Sequence, residues 1–229
     1  MSNPHLPPEM LDHIVDLLHD TKHALRNCCI VSKSWIPRAR KHLFADIRFC
    51  VAEDLQSWSK MFPDPSTSPA RYAKTLFVGR FHAFNFDALV DSFVPSHGFS
   101  PAIRSLHLDL IHLPPQTFDL IISFPFLEEL AVSGGSFDGP PTVVQPSSSP
   151  VFTGSLELSL EGGMKPIAHR LLSLPGRLHF RKLTLTCNHE EDPLLTMELV
   201  EECSHTLESL DIAYPVFYRT FIRHLHSRI

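Results

Sequence analysis

The sequence has no apolar run long enough to cross a membrane, which takes about 20 consecutive residues. Its apolar stretches, such as residues 120–122, are interrupted within a few positions. Residues 1–5 also lack a basic region followed by an apolar run, the pattern of a secretory signal. We therefore expect no membrane span and no membrane partner.

Excess basic charge is also missing, since 20 Lys and Arg residues stand against 25 Asp and Glu residues. A general nucleic-acid binder needs a basic face that displaces counterions from phosphate, so no nucleic-acid partner is expected. The five cysteines are odd in number, and no pair has Cys-x-x-Cys spacing. They indicate free thiols in a reducing compartment, and hence a cytoplasmic location, a nuclear one, or both.

The motifs of common enzyme classes are absent. Gly134-Gly135-Ser136-Phe137-Asp138 lacks the final glycine of the Gly-x-Ser-x-Gly nucleophile elbow. The two glycine-rich motifs that bind phosphate groups, Gly-x-x-x-x-Gly-Lys and Gly-x-Gly-x-x-Gly, do not occur either. We expect a non-catalytic protein that uses no cofactor. An enzyme with an unrecognised site is kept as a remote alternative.

Fifteen histidines raise the question of a metal site. The densest clusters are Cys187-x-His189-Glu190-Glu191 and His224-x-His226. Zinc requires four converging ligands, and neither cluster has a second pair at a suitable spacing. The sequence therefore predicts no metal site.

The first 45 residues have the pattern of three short helices. Pro7 and Pro8 suit a helix entry, because proline lacks the N–H that an interior position donates. Apolar side chains then recur at helical spacing, at Leu11, Ile14, Val15 and Leu18. Asp20 or Thr21 suits the cap of a second helix, and Ser32 the cap of a third.

A different period begins near residue 70. A six-residue pattern recurs six times along the chain. It consists of an apolar residue, two variable residues, a leucine, one variable residue and an aliphatic residue. The central leucines are Leu76, Leu106, Leu130, Leu156, Leu183 and Leu210, which are 24 to 30 residues apart. Such a period is typical of leucine-rich repeats, in which each unit supplies one strand and a returning helix or loop. We expect that no repeat has the asparagine that usually follows the strand. The solenoid is therefore expected to curve irregularly.

Three segments fall outside this period. Residues 62–69 are expected to link two modules or to cap the first repeat. Residues 134–150 are rich in Gly, Pro and Ser and predict a loop inserted in the third repeat. Residues 217–229 are amphipathic but short for the polar cap that a solenoid needs, so a truncated array is one expectation.

Three parts of the N-terminal segment stand out. They are Leu6-Pro7-Pro8-Glu9-Met10-Leu11-x-x-Ile14, then Leu25-x-x-Cys28-x-x-Val31-Ser32-Lys33-x-Trp35, and then Ala39-Arg40 with Leu43-Phe44. In this order they resemble the opening, the second half and the tail of an F-box. The match covers about 40 of 229 residues, and order, spacing and helix phase agree. With its repeats, the chain is similar to F-box proteins of mushroom-forming fungi.

The resemblance implies an α/β fold in three parts. Residues 1–48 would form a three-helix F-box and residues 49–69 a linker or capping segment. Residues 70–229 would form an irregular leucine-rich-repeat solenoid, with about six parallel strands on its concave face. The implied function is the substrate-recognition subunit of a Skp–cullin–F-box ubiquitin ligase. The alternative is a leucine-rich-repeat scaffold whose F-box binds the adaptor outside a ligase.

The implied partners are a Skp-type adaptor, cullin through that adaptor, and an unknown target protein. By resemblance, the adaptor contact is expected at Leu6, Pro7, Pro8, Met10, Leu11, Ile14, Leu25, Cys28, Val31, Ser32 and Trp35. Internal packing is expected instead for Val15, Leu18, Cys29 and Leu43. A partner is plausible on physical grounds, because units below about 40 residues rarely enclose their own apolar surface. The competing hypothesis is that the segment simply caps the solenoid.

The concave face is where target contacts are expected. Its centre line should comprise Phe77, His107, Ala131, Glu157, Thr184 and Asp211. All of these except Ala131 are candidate target contacts. The row is acidic to neutral, so the hypothesis is a basic or neutral partner. The alternative, that these are ordinary solvated strand residues, stays open.

Overall fold

The computed structural model describes residues 7–64, 67–79, 103–113, 116–137, 152–174 and 178–214. Three helices open this part of the chain, and strands alternate with helices or turns after them. The expected α/β class is confirmed, with a seven-stranded parallel sheet and seven α-helices in the described ranges. No helix in those ranges combines the length and apolar character needed to span a membrane.

The N-terminal helices are α1 (Pro8–Leu17), α2 (Lys22–Val31) and α3 (Ile36–Leu43), with a 3-10 turn at Lys33–Trp35. Proline opens α1 and lies in the first turn of α3, where its missing N–H removes no helical hydrogen bond. Ser32 caps the 3-10 turn by accepting the N–H of Ser34 at 3.3 Å. Thr21 occupies the N-cap position of α2 without a side-chain hydrogen bond.

The sheet follows these helices. Its strands are β1 (Asp46–Phe49), β2 (Thr75–Val78), β3 (Ser105–Leu113), β4 (Glu129–Phe137), β5 (Ser155–Leu160), β6 (Lys182–Thr186) and β7 (Ser209–Ala213). The connecting helices are α4 (Ala52–Met61), α5 (Gln116–Ile122), α6 (Lys165–Leu172) and α7 (Asp192–Cys203), and Pro69–Tyr72 form a second 3-10 turn. All strands are parallel and adjoin one another in chain order.

One row of apolar side chains crosses all seven strands in register. It joins Ile47, Leu76, Leu106, Leu130, Leu156, Leu183 and Leu210, which include every leucine that the repeat period identified. From β1 to β6 these residues are at most 5 % exposed. They share one core with residues of α5, α6 and α7, so these helices cover this side of the sheet.

Strand β1 is one more than the predicted count of about six. It follows α3 directly and pairs with β2, and α4 then packs Leu55 and Trp58 into the core of the sheet. The rings of Phe44 and Phe62 lie 6.0 and 4.8 Å from that of Trp58, between centroids. Residues of the segment 49–69, expected as a linker or cap, are thus part of the packed body.

Strand β4 extends through Phe137, so residues 134–137 belong to the sheet and not to the expected loop. The extended backbone there includes Gly134 at φ 115°, a conformation that glycine adopts without strain. The rest of the expected loop, residues 138–150, lies outside the described residues, and so do residues 217–229.

The connection after β6 corrects the expectation that no strand is followed by asparagine. Asn188, just beyond β6, donates from Nδ2 to the carbonyl oxygen of Leu160 at 2.8 Å. The buried carboxylate of Asp192 accepts the backbone N–H groups of Asn188, His189 and Met164, at 2.8, 2.8 and 3.1 Å. These bonds tie the end of β5 to the end of β6 and satisfy groups that neither strand nor helix pairs.

A second backbone contact recurs just before each strand. From β2 onwards, N–H groups at the start of each strand donate to the carbonyl oxygen of the residue just before the previous strand. At β5, the N–H of Ser155 donates to the carbonyl of Glu128 at 2.7 Å. This brings Gly154 so close that an added Cβ would lie 1.7 Å from the Glu128 oxygen. The close approach therefore requires glycine.

Gly154→Ala should destabilise the protein by at least about 1–3 kcal/mol, because the clashing atoms belong to the backbone and cannot rotate away. Urea unfolding followed by circular dichroism measures the effect. Gly79→Ala is the matched control, since its nearest neighbour is a Phe77 side-chain atom at 3.3 Å. Equal losses from the two substitutions would contradict the prediction.

Candidate functional site

The N-terminal helices enclose a small core of their own. Val15, Leu25, Cys28 and Ala39 are buried there. Leu18, Cys29, Trp35 and Leu43 pack against these four and are partly buried. The predicted internal packing of Val15, Leu18, Cys29 and Leu43 is confirmed. So small a core leaves other apolar side chains of these helices at the surface.

An ionic cluster joins α1 to α3. Arg38 donates to the Asp16 carboxylate from Nε at 2.6 Å and from a second guanidinium nitrogen, and His42 donates from Nε2 at 2.7 Å. These hydrogen bonds, first that of Arg38 and then that of His42, hold the pKa of Asp16 well below its usual range. A two-bond contact from a planar guanidinium also restricts orientation. The cluster therefore fixes how α1 lies against α3.

Five large apolar side chains of α1 and α2 are exposed, and we call them the helical apolar surface. They are Met10, Ile14 and Leu17 on α1, and Ile30 and Val31 at the end of α2. Helical spacing places the first three on one side of α1. Leu17 is 69 % exposed and Ile30 is 83 % exposed. Exposed apolar side chains of this size on two short helices are of the kind that an interface covers.

The residues expected at the adaptor contact have three kinds of environment. Pro7, Pro8, Met10, Ile14 and Val31 are exposed, and Leu11, Ser32 and Trp35 are partly buried. Leu25 and Cys28 are buried in the helical core, because their sides of α2 face α3 and the 3-10 turn. These two side chains belong to the core and are not exposed for contact in this structure. Leu6 lies outside the described residues.

Ile30 is the member of the helical apolar surface that sequence reasoning missed. Its signal is the run from Cys28 to Val31, because four successive residues cannot all face one side of a helix. Leu17 lies three residues after Ile14, on the same side of α1, and extends the apolar stripe that the helical spacing predicts there.

The second exposed surface is the polar face of the sheet, opposite the helices. The predicted centre line is confirmed as one register row that contains Phe77, His107, Ala131, Glu157, Thr184 and Asp211, with Arg48 added on β1. None of these side chains is buried. The candidate target contacts therefore share one face, and their role in binding stays a prediction.

Carboxylates outnumber basic side chains on this face. A second row on the same face lies two residues earlier in each strand than the centre row. Together the two rows contain four carboxylates, Asp46, Glu129, Glu157 and Asp211, and two basic side chains, Arg48 and Lys182. Ser105 donates to Glu129 at 2.8 Å, and its hydroxyl lies 2.9 Å from Nε2 of His107. Among the described residues, no salt bridge engages Glu157 or Asp211. The half of the face from β4 to β7 is thus open to a cationic group.

The cluster around Cys187 is held within the fold. Cys187 is buried with its Sγ 3.5 Å from Oγ1 of Thr196, and burial raises the pKa of its thiol. His189 Nε2 donates to the carbonyl oxygen of Glu161 at 3.1 Å. In the described ranges, no three His, Cys, Asp or Glu side chains converge as a metal site. His224 and His226 lie outside those ranges.

Asp16→Asn should lower stability near pH 7 and flatten the acid limb of the stability curve. Because the folded pKa of Asp16 is depressed, its contribution is present above the ordinary carboxyl pKa of about 3.9 and is lost as pH falls below it. Urea midpoints measured from about pH 6 to pH 3 test this. Glu9→Gln, an exposed carboxylate on the same helix, is the control. Parallel pH curves for wild type and the Asp16 variant would contradict the prediction.

The described part of the chain thus presents two chemically different surfaces, one apolar on the N-terminal helices and one polar on the sheet. Neither surface contains a catalytic constellation that the geometry identifies. Comparison of the chain with protein-family models, with curated proteins and with solved structures finds no match.

Proposed function

We propose that the chain is a substrate-recognition subunit of a Skp–cullin–F-box ubiquitin ligase. The N-terminal helices bind a Skp-type adaptor as an F-box, and the sheet is the concave face of a leucine-rich-repeat solenoid that binds a target protein. The protein carries out no chemistry itself. It raises the concentration of the target near the ubiquitin-charged enzyme.

The observation that carries the proposal is the helical apolar surface, in a segment whose residue order resembles an F-box. The helices already have their own core, so Met10, Leu17 and Ile30 are not needed to hold them together. Burying a side chain of this size contributes about 1.5–3 kcal/mol. A partner that covers several of them therefore gains free energy that offsets a large share of the cost of association. A simple cap of the solenoid would face these side chains towards the repeats.

The polar face of the sheet supports a separate role in target binding. Its side chains are short and hydroxylated in many positions, and its carboxylates on β5 and β7 are unpaired among the described residues. Such a face provides hydrogen-bonding groups and negative potential but little apolar area. It suits a partner segment that carries Lys or Arg, since opposite charge both steers and orients the complex.

Met10→Ala combined with Leu17→Ala should weaken binding of a Skp-type adaptor by about tenfold or more, since 1.4 kcal/mol of lost burial is a factor of ten. Isothermal titration calorimetry with purified adaptor measures the change. Met197→Ala with Leu194→Ala is the matched control, because these residues of α7 are 69 % and 66 % exposed. Alanine preserves the helix in both variants.

The control must bind the adaptor as wild type does. Undiminished binding by the α1 variant would sink the adaptor assignment. Purification from native cells then separates two roles of the adaptor complex. Adaptor that brings cullin with it supports a ligase subunit. Adaptor without cullin supports the alternative, a repeat scaffold that uses its F-box outside a ligase.

Glu157→Lys combined with Asp211→Lys should abolish target capture while leaving adaptor binding intact, because the two substitutions reverse the charge of the exposed face. Affinity purification with quantitative mass spectrometry compares the captured proteins. Glu53→Lys with Glu190→Lys is the control, since both residues are exposed and lie outside the strands. An unchanged set of non-adaptor partners would argue against this face as the target site.

A further inference from the structure

Two histidine rings meet where the chain enters the last two strands. His179 precedes β6, and His205 lies in the turn between α7 and β7. Nε2 of His205 lies 3.0 Å from Nδ1 of His179, and the two ring planes are nearly perpendicular at 83°. His205 is exposed and His179 is partly buried. The pair is therefore open to a small solute at the surface.

Hydrogen bonds to the backbone hold both turns in place. The N–H of His179 donates to the carbonyl oxygen of Phe152 at 3.1 Å. Thr206, which follows His205, donates from Oγ1 to the carbonyl oxygen of Phe180 at 3.1 Å. The backbone on both sides of the pair is thus fixed to its neighbours. Rotation of the two side chains is enough to change how the rings face each other.

The separation of the two facing nitrogens suits a transition-metal ion. Imidazole nitrogens bind zinc at about 2.0–2.1 Å, and two such bonds at a right angle place the nitrogens about 3 Å apart. Imidazole is also a ligand for divalent copper and nickel. In the hydrogen-bonded pair, one facing nitrogen carries the proton that the other accepts. When that proton moves to the other nitrogen of the same ring, both facing nitrogens have lone pairs that can turn towards one ion.

The sequence did not indicate this pair, because 26 residues separate the two histidines. That separation is close to one period of the leucine pattern, and the parallel strands bring successive turns side by side. No third His, Cys, Asp or Glu side chain converges on the pair within the ranges that the structure describes. Water therefore completes the coordination of an ion held there, as in zinc sites that keep an open position.

We propose that His179 and His205 form a two-histidine site for a divalent transition-metal ion, which links the turns before β6 and β7. Once one ring has bound the ion, the other is already beside it, so the pair binds more tightly than a single ring. The unfolded chain does not hold the two rings together, so the bound ion stabilises the fold. The site is independent of the proposed function, because neither histidine belongs to the helical apolar surface or to the polar face of the sheet.

Isothermal titration of the full chain with nickel chloride tests the site. Nickel suits imidazole, whereas zinc and copper also bind thiols, of which the chain has five free in cysteines. Every protein in the series carries His224→Ala with His226→Ala, which removes the second histidine pair of the sequence. This background protein should bind one nickel ion, and absence of binding would overturn the proposal.

His179→Gln and His205→Gln should each weaken nickel binding by at least about tenfold, since each leaves a single imidazole at the site. His23→Gln is the matched control, because His23 is exposed and its Nδ1 lies 3.4 Å from the side-chain nitrogen of Asn27. The control should bind nickel as the background protein does. Undiminished affinity in either variant of the pair would overturn the proposal.

Urea unfolding with and without nickel separates a metal site from a structural hydrogen bond. Nickel should raise the unfolding midpoint of the background protein and of the His23 variant, but not of the two pair variants, because only the folded pair holds the ion with both rings. Glutamine keeps a side chain that can hydrogen-bond. Pair variants that lose stability without nickel, yet gain from nickel as the background protein does, would show a structural hydrogen bond only and overturn the proposal.

Discussion

The fold depends on one constraint, which is that every strand places its central apolar residue in the same row beneath the sheet. The row is closed to solvent from Ile47 to Leu183, and each member contributes about 1.5–3 kcal/mol by its burial. Parallel neighbours require a return connection, and the row can be covered only if those connections run on its side. The other face of the sheet must then stay open. The polar face is therefore a consequence of how the core is built.

The same constraint explains why the connections can differ so much. The returns include a helix and a later 3-10 turn after β1, a seven-residue helix after β3 and a twelve-residue helix after β6. What stays constant is the backbone contact before each strand, where one carbonyl receives the N–H groups of the next strand. Gly154 allows the close approach that this contact makes at β5. Asn188 and Asp192 act at the opposite ends of the strands, where they anchor the turns after β5 and β6.

Much of the sheet could be predicted because the row has one residue per strand and the chain returns to it every 24 to 30 residues. Strand β1 follows the same rule 29 residues before Leu76, but Ile47 replaces the leucine of the repeat template and Phe49 its aliphatic residue. The predicted boundary between the F-box and the linker, at residues 48 and 49, also divides this strand. The helical apolar surface was harder to predict. Cys28 and Ile30 are both apolar and lie on one short helix, and only the packing of α3 decides which of them is buried. Asp16 is a similar case, because its partners Arg38 and His42 come from a distant part of the sequence.

The two exposed surfaces rest on separate cores. Val15, Leu25, Cys28 and Ala39 hold the helices together, whereas the leucine row holds the sheet, and the two sets of buried residues are distinct. The helical apolar surface and the polar face of the sheet can therefore coexist in one chain without destabilising each other. Each surface is supported by its own set of buried side chains. On the proposed function, this arrangement lets adaptor and target bind at once. The high local concentration of the target near the adaptor then results from binding both to one chain. It requires no contact between the two partners themselves.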